Sequence, residues 1–216
     1  MNLTPTEFFS VGVVLFGILM AGTIQIRTNI LLYGLQTLLV GTVTVCYYKA
    51  TGEMHFLWLA LAITMVKSVG ISAFLWWVLK RIKLYRDAYM YLPVPLAMHA
   101  CILLLGIAHF LNSRLPAAPT AASLAESAES GIALVLIGIL FMMTRKSAVS
   151  QIIGFLTMEN GIYLFTLSKA HGMPMAIELG IILDILVGVM IAGIIVFKIQ
   201  KSFEHIDVTL LKDLKD

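Results

Sequence analysis

Lys67 sits in the middle of an apolar run, Ala62-Ile63-Thr64-Met65-Val66-Lys67-Ser68-Val69-Gly70, and His99, Glu159 and Asp184 interrupt other apolar runs in the same way. A charge at the centre of a bilayer costs at least about 2.5 to 3.5 kcal/mol on insertion scales, so such residues face a protein interior or a wet path. The chemistry open to them is proton or ion carriage. Burial penalises a charged carboxyl and raises its pKa toward neutrality, which lets it take up and release a proton. A nearby lysine opposes that shift, so Lys67 is expected to set whether a carboxylate holds its proton. Glu178 and His109 are further candidates, each close enough to the end of its run to reach the interface. The opposing reading is structural: a buried lysine and carboxylate neutralise each other, and Thr157 or Asn160 hydrogen-bonds a neighbouring helix as packing glue.

Other chemistries find no residues. No GxxxxGK[ST] loop, HExxH pair, nucleophile elbow or cysteine cluster is present, so the chain is expected to bind no metal or cofactor and to have no catalytic residue of its own. Cys46 and Cys101 lie inside apolar runs without CxxC spacing and read as packing residues. The first seven residues lack a basic n-region, so the first apolar run reads as a retained helix.

The elements that must position these residues follow from composition. Of 216 residues, 60% are hydrophobic and 12% charged, and the mean hydropathy is +0.95. A water-soluble domain is excluded. A helix needs about 20 mainly apolar residues to cross the hydrocarbon core. Such runs fall near 8–26, 30–48, 56–79, 91–111, 130–144, 148–168 and 176–198, which predicts an all-α membrane protein of about seven transmembrane helices. The fifth run is short and emerges from an Ala/Ser/Pro-rich stretch, so its helix is free to begin earlier.

Seven spans place the termini on opposite sides. Arg27, Lys80, Arg81, Lys83, Arg86, Arg145, Lys146, Lys198, Lys201, Lys212 and Lys215 flank one side, against Lys49, Arg114 and Lys169 on the other. This asymmetry predicts the N-terminus outside and the C-terminus in the cytoplasm, in the cell's inner membrane. It also accounts for the net charge of +3 without a nucleic-acid partner. The expected organisation is a four-helix membrane segment (1–115), an external loop (116–129), a three-helix segment (130–198) and a cytoplasmic tail (199–216). With that topology Lys67, His99, Glu159 and Asp184 share one slab near mid-depth, as a lateral proton route requires. The glycines Gly154, Gly161, Gly180 and Gly188 are expected to permit close helix contact.

Phe155-Leu156-Thr157-Met158-Glu159-Asn160-Gly161, then Glu178-Leu179-Gly180-Ile181-Ile182-Leu183-Asp184, and the ending Ile206-Asp207-Val208-Thr209-Leu210-Leu211-Lys212-Asp213-Leu214-Lys215 together resemble hydrogenase-4 component E. That family supplies a membrane subunit of formate hydrogenlyase-type complexes, and the similarity in helix number extends over the whole chain. The last three spans also resemble the K-type subunit of respiratory complex I and the C-type subunit of multisubunit cation/proton antiporters. In those relatives one buried glutamate lies in the middle of the second helix and another in the third, the latter followed four residues later by glycine. Glu159 matches the first position, and Asp184, four residues before Gly188, matches the second with an aspartate in place of glutamate.

The resemblance implies a non-catalytic subunit of a complex-I-like, membrane-bound hydrogenase. Nickel-iron and iron-sulfur centres would then belong to a peripheral redox module, and antiporter-like subunits would share the membrane arm. Two alternatives are a subunit of a cation/proton antiporter without redox partners and a structural spacer. The first four spans have no counterpart in the three-helix relatives, so nothing carries over to Lys67 or His99.

Overall fold

The computed structural model describes residues 5–82, 86, 87, 90–115 and 122–169, with Gly188 and Gly193 in helical conformation beyond them. The described residues form helices and connections without a β-sheet: α1 (Pro5–Ala21), α2 (Ile26–Thr51), α3 (Met54–Ala62), a π-helical segment (Ile63–Ile71), α4 (Ser72–Ile82), α5 (Val94–Arg114), α6 (Ala122–Thr144) and α7 (Ala148–Lys169). The α3, π and α4 segments follow one another without a break, making one long rod with a widened middle. Among the described residues four stretches, Ile26–Thr51, Met54–Arg81, Val94–Arg114 and Ser127–Thr144, are long and apolar enough to cross a membrane, by length and composition. The chain is thus a membrane-embedded helical protein. Apart from Gly188 and Gly193, the seventh apolar run, with Glu178 and Asp184, lies outside the described residues.

Local chemistry sets the helix ends. Gly52 closes α2 with φ 75°, a left-handed conformation that glycine adopts without steric cost, and its N–H donates to the carbonyl of Tyr48 at 2.8 Å. Pro93 and Pro95 open α5, where absent N–H groups leave nothing unsatisfied. α6 begins at Ala122, ahead of the apolar run that starts at residue 130. Part of the stretch expected as an external loop is therefore helical. Its Ala-Ser-Leu-Ala-Glu-Ser-Ala-Glu-Ser sequence explains this, since Ala, Leu and Glu are strong helix formers.

α2 and α6 are the hubs of the bundle. α2 packs against α1, the α3–π–α4 rod and α7, while α6 packs against α7, α1 and α5. α6 and α7 form the most intimate pair, and glycines explain why. A Cβ added at Gly138 would lie 2.6 Å from the backbone nitrogen of Met158, and one at Gly131 would lie 2.6 Å from that of Phe165. Gly154 and Gly161 return the contact from α7, meeting the Gly138 and Gly131 carbonyls. A Cβ at Gly188 meets no described atom within 4 Å, and Gly180 lies outside the described residues. Ile26, Ile30, Tyr33, Leu75, Leu79, Ile137, Phe141, Ile152, Ile153 and Leu156 fill one core cluster. Val13, Val40, Val43, Tyr47, Phe56, Ile63, Leu134 and Leu164 fill a second. Cys101 is buried and Cys46 half-buried, both as free thiols.

The outer flanks are apolar. Trp58, Met65, Val66 and Val69 on the rod and Leu96, Ile102, Leu103 and Phe110 on α5 are all exposed. Lipid tails or neighbouring apolar helices suit such faces equally well, whereas water does not.

Candidate functional site

Lys67 occupies the centre of the π-helical segment, and Glu159 the middle of α7. The two form an ion pair, Lys67 Nζ donating to Glu159 Oε1, with Lys67 8% and Glu159 2% exposed. The local backbone explains how the lysine reaches its partner. A π-helix is wider than an α-helix and realigns the side chains on either side of it, a distortion often found at functional sites. α7 packs mainly along α6 and α2, so the long lysine side chain spans the gap from the rod. Two opposite charges in one apolar setting cost far less than either alone, and this makes the pair the stable way to bury both.

A file of polar groups runs from this pair along the α2–α7 contact. Asn160 Nδ2 donates to Thr37 Oγ1 at 2.9 Å, and Thr37 Oγ1 donates in turn to the Tyr33 carbonyl. Farther along α2, the hydroxyls of Thr44 and Tyr163 lie 3.1 Å apart, and those of Tyr47 and Ser127 2.7 Å apart. Gln36 donates to the Val13 carbonyl of α1 at 3.0 Å. In α2 these positions, Tyr33, Gln36, Thr37, Thr44 and Tyr47, recur on one helical face. That periodicity is a legible signal, but none of these residues is ionisable near neutral pH, so none interrupts its apolar run as a charge does. Asn160 is the interhelical glue that its amide suggested, whereas the Thr157 hydroxyl donates to Ile153 of its own helix at 2.8 Å.

The remaining candidates lie elsewhere. His99 is exposed on α5, its Nδ1 donating to the Pro95 carbonyl at 2.7 Å, and α5 packs on α6 and α1, away from Lys67. It does not join the mid-depth cluster, because the side of a uniformly apolar helix on which a residue sits is decided only by packing. His109 faces Glu129 at 3.1 Å, both residues reaching solvent or lipid at the α5–α6 edge. Glu129 lies on α6 just ahead of the expected apolar run, because the helix begins earlier than that run. Asp184 and Glu178 lie outside the described residues.

A second buried pair had no sequence signal beyond two charges in connections. Arg145 and Asp87, 1% and 5% exposed, approach to 3.5 Å. Arg145 Nη2 also donates to the carbonyls of Ala21 at 3.1 Å and Thr23 at 2.8 Å, and its guanidinium lies 4.8 Å from the centre of the Phe141 ring. Asp87 accepts a 2.6 Å bond from the Ser150 hydroxyl, and its N–H donates to Ile24. One arginine thus ties together the end of α1, the connection before α5 and the start of α7. Burial pushes the Asp87 carboxyl above the ordinary aspartate range, against the Ser150 bond and the Arg145 charge, which pull it down. Burial likewise lowers Arg145, with Asp87 opposing. For both partners, loss of water outweighs mutual attraction. Arg145 is therefore a structural rivet, and the loop charge counted for topology is in fact inside the protein.

Among the described residues no three His, Cys, Asp or Glu side chains converge as a metal site. No protein-family model matches the chain. No solved structure matches it either. An 87-residue stretch is 37% identical to an uncharacterised protein, Rv0085, of Mycobacterium tuberculosis, and the match spans 40% of this chain and 40% of that protein.

Proposed function

We propose that this chain is a membrane-arm subunit of a complex-I-like, membrane-bound hydrogenase of the formate hydrogenlyase type, with seven spans, its N-terminus outside and its C-terminus in the cytoplasm of the inner membrane. Its task is to carry part of a charged axis that couples a redox module to proton or ion movement. The observation that supports this reading is the Lys67–Glu159 pair, buried midway along two helices and framed by a π-helical segment. A pair of this kind holds two states: Glu159 ionised and bound to Lys67, or protonated when Lys67 is drawn elsewhere. Asp184, in the next apolar run of the sequence, is the proposed next carboxyl. The nickel-iron and iron-sulfur chemistry of such a complex belongs to its partners.

Purification of the tagged chain in mild detergent tests the assignment. Nickel, iron and hydrogenase subunits in the isolate are the expected result; antiporter subunits without metal would instead make it part of a cation/proton antiporter. Within the intact complex, Glu159→Gln should lower ion movement coupled to formate or hydrogen turnover at least about tenfold, the loss expected when a positioned proton-transfer group is removed. Unchanged coupling in a fully assembled variant would reduce the chain to a spacer whose buried charges are static.

A further inference from the structure

A groove of about 330 Å³ runs between α2 and the rod, open along one side. Small residues create it. Gly34 on α2 faces Ser68 and Ser72 on the rod, with Ala73 also lining the groove, and Ser68 Oγ donates to the Gly34 carbonyl at 2.8 Å, which draws the two backbones together at the groove's floor. Ile30, Leu31, Leu35 and Leu38 form its apolar wall. From Ile30 to Leu38 this wall rises about 12 Å at 1.5 Å per residue. Half of a hydrocarbon core is about 15 Å thick, so the groove matches the reach of one acyl chain in one leaflet.

Its mouth carries the opposite chemistry. Trp76 lines the groove at the end near Ile30, and the Arg27 guanidinium lies 5.8 Å from the centre of the Trp76 ring. Lys80, one turn beyond Trp76 on the same helical face, is exposed, whereas Arg81 stands over Trp77 on a neighbouring face. Tryptophans beside arginine and lysine mark the level of lipid headgroups, and clustered cations there attract anionic ones. We propose that this groove is a binding site for an anionic phospholipid, its phosphate held by Arg27 and Lys80 and one acyl chain lying against Gly34 and Ala73. The occupant is fixed by the combination: an apolar slot of one-leaflet depth capped by two cations fits a negatively charged lipid better than a zwitterionic one. It does not depend on the hydrogenase reading.

Quenching by brominated lipids tests it on the full chain in vesicles. Trp58→Phe with Trp77→Phe leaves Trp76 as the reporter of the groove. Brominated phosphatidylglycerol should occupy the site with an apparent preference over brominated phosphatidylcholine of about five-fold or more, the effect of one or two cations near a membrane surface. Arg27→Gln with Lys80→Gln should bring the two lipids close to parity, and Ala73→Leu, which fills the slot, should weaken quenching by both. Native mass spectrometry of the unsubstituted chain should show retained phosphatidylglycerol, independent of any variant's folding. Equal quenching by the two lipids, a preference that survives loss of both Arg27 and Lys80, or a chain that retains no anionic lipid would each overturn the proposal.

Discussion

At the scale of single residues, the two buried ion pairs make different predictions. Lys67 and Glu159 neutralise each other in an apolar setting, so removing one leaves an uncompensated charge. Lys67→Met or Glu159→Leu alone should each destabilise the chain by about 3–5 kcal/mol, whereas the double change should cost clearly less than the sum. Thermal unfolding in detergent reads both, and strictly additive losses would show that the pair is not an energetic unit. Asp87 predicts a pH dependence. Its folded-state pKa is raised, so the folded form holds the proton more tightly than the unfolded one; the stability from that proton is present at low pH and is lost as pH rises through the folded value. Relative to Asp87→Asn, the wild-type chain should therefore gain stability as pH falls from neutrality toward the ordinary aspartate range. Protection of the connection at residues 86–91 from proteolysis, compared across that range, checks the sign. Arg145→Lys should not restore the wild-type protection, because a single ammonium cannot meet Asp87 and the Ala21 and Thr23 carbonyls in the fork geometry of a guanidinium.

At the scale of elements, the α6–α7 contact rests on glycines seven residues apart on each helix. Gly138→Ala would place its Cβ against the Met158 backbone, which cannot rotate away as a side chain would. A loss of about 1–3 kcal/mol is expected, the range for overpacking a fitted contact. Gly106→Ala on α5, where nothing lies within 4 Å, should be neutral or slightly stabilising, and the difference in melting temperature between the two variants is the measurement. The helices themselves were legible: each described one overlaps an expected apolar run, because bilayer-length hydrophobicity is a local property. The π-helical segment was not legible, since nothing in Ile63-Thr64-Met65-Val66-Lys67 distinguishes it from an ordinary helix. The early start of α6 was half visible, in the helix-forming residues of a stretch whose Ala/Ser/Pro-rich composition argued for a loop.

For the whole molecule, one face of the rod and most of α5 are left uncovered by the other described residues. Under the proposed topology the α2–α3 turn at Glu53 lies outside and the segment before α5 at Tyr91 lies inside, and both residues are exposed. After replacement of Cys46 and Cys101 by serine, a membrane-impermeant thiol reagent applied to intact cells should label Glu53→Cys and spare Tyr91→Cys. Labelling in the reverse pattern would invert the orientation and, with it, the leaflet that meets Arg27. Basic residues in the connections argued for the orientation, yet Arg145 serves the interior, so a charge in a connection does not by itself mark an exposed surface.

The sequence by itself determined that this chain is helical and lies in a membrane, because the cost of exposing apolar surface to water adds up residue by residue along each run. It also singled out the ionisable residues that such runs do not tolerate without a reason. Only the tertiary structure decided which of them meet. Lys67 finds Glu159 across a gap that a π-helical segment lets it span, Arg145 turns inward to Asp87, and His99 turns outward. Helices that are apolar on every side carry no mark of which face is protein and which is lipid; the close approach of glycines and the hydrogen bonds between helices make that choice.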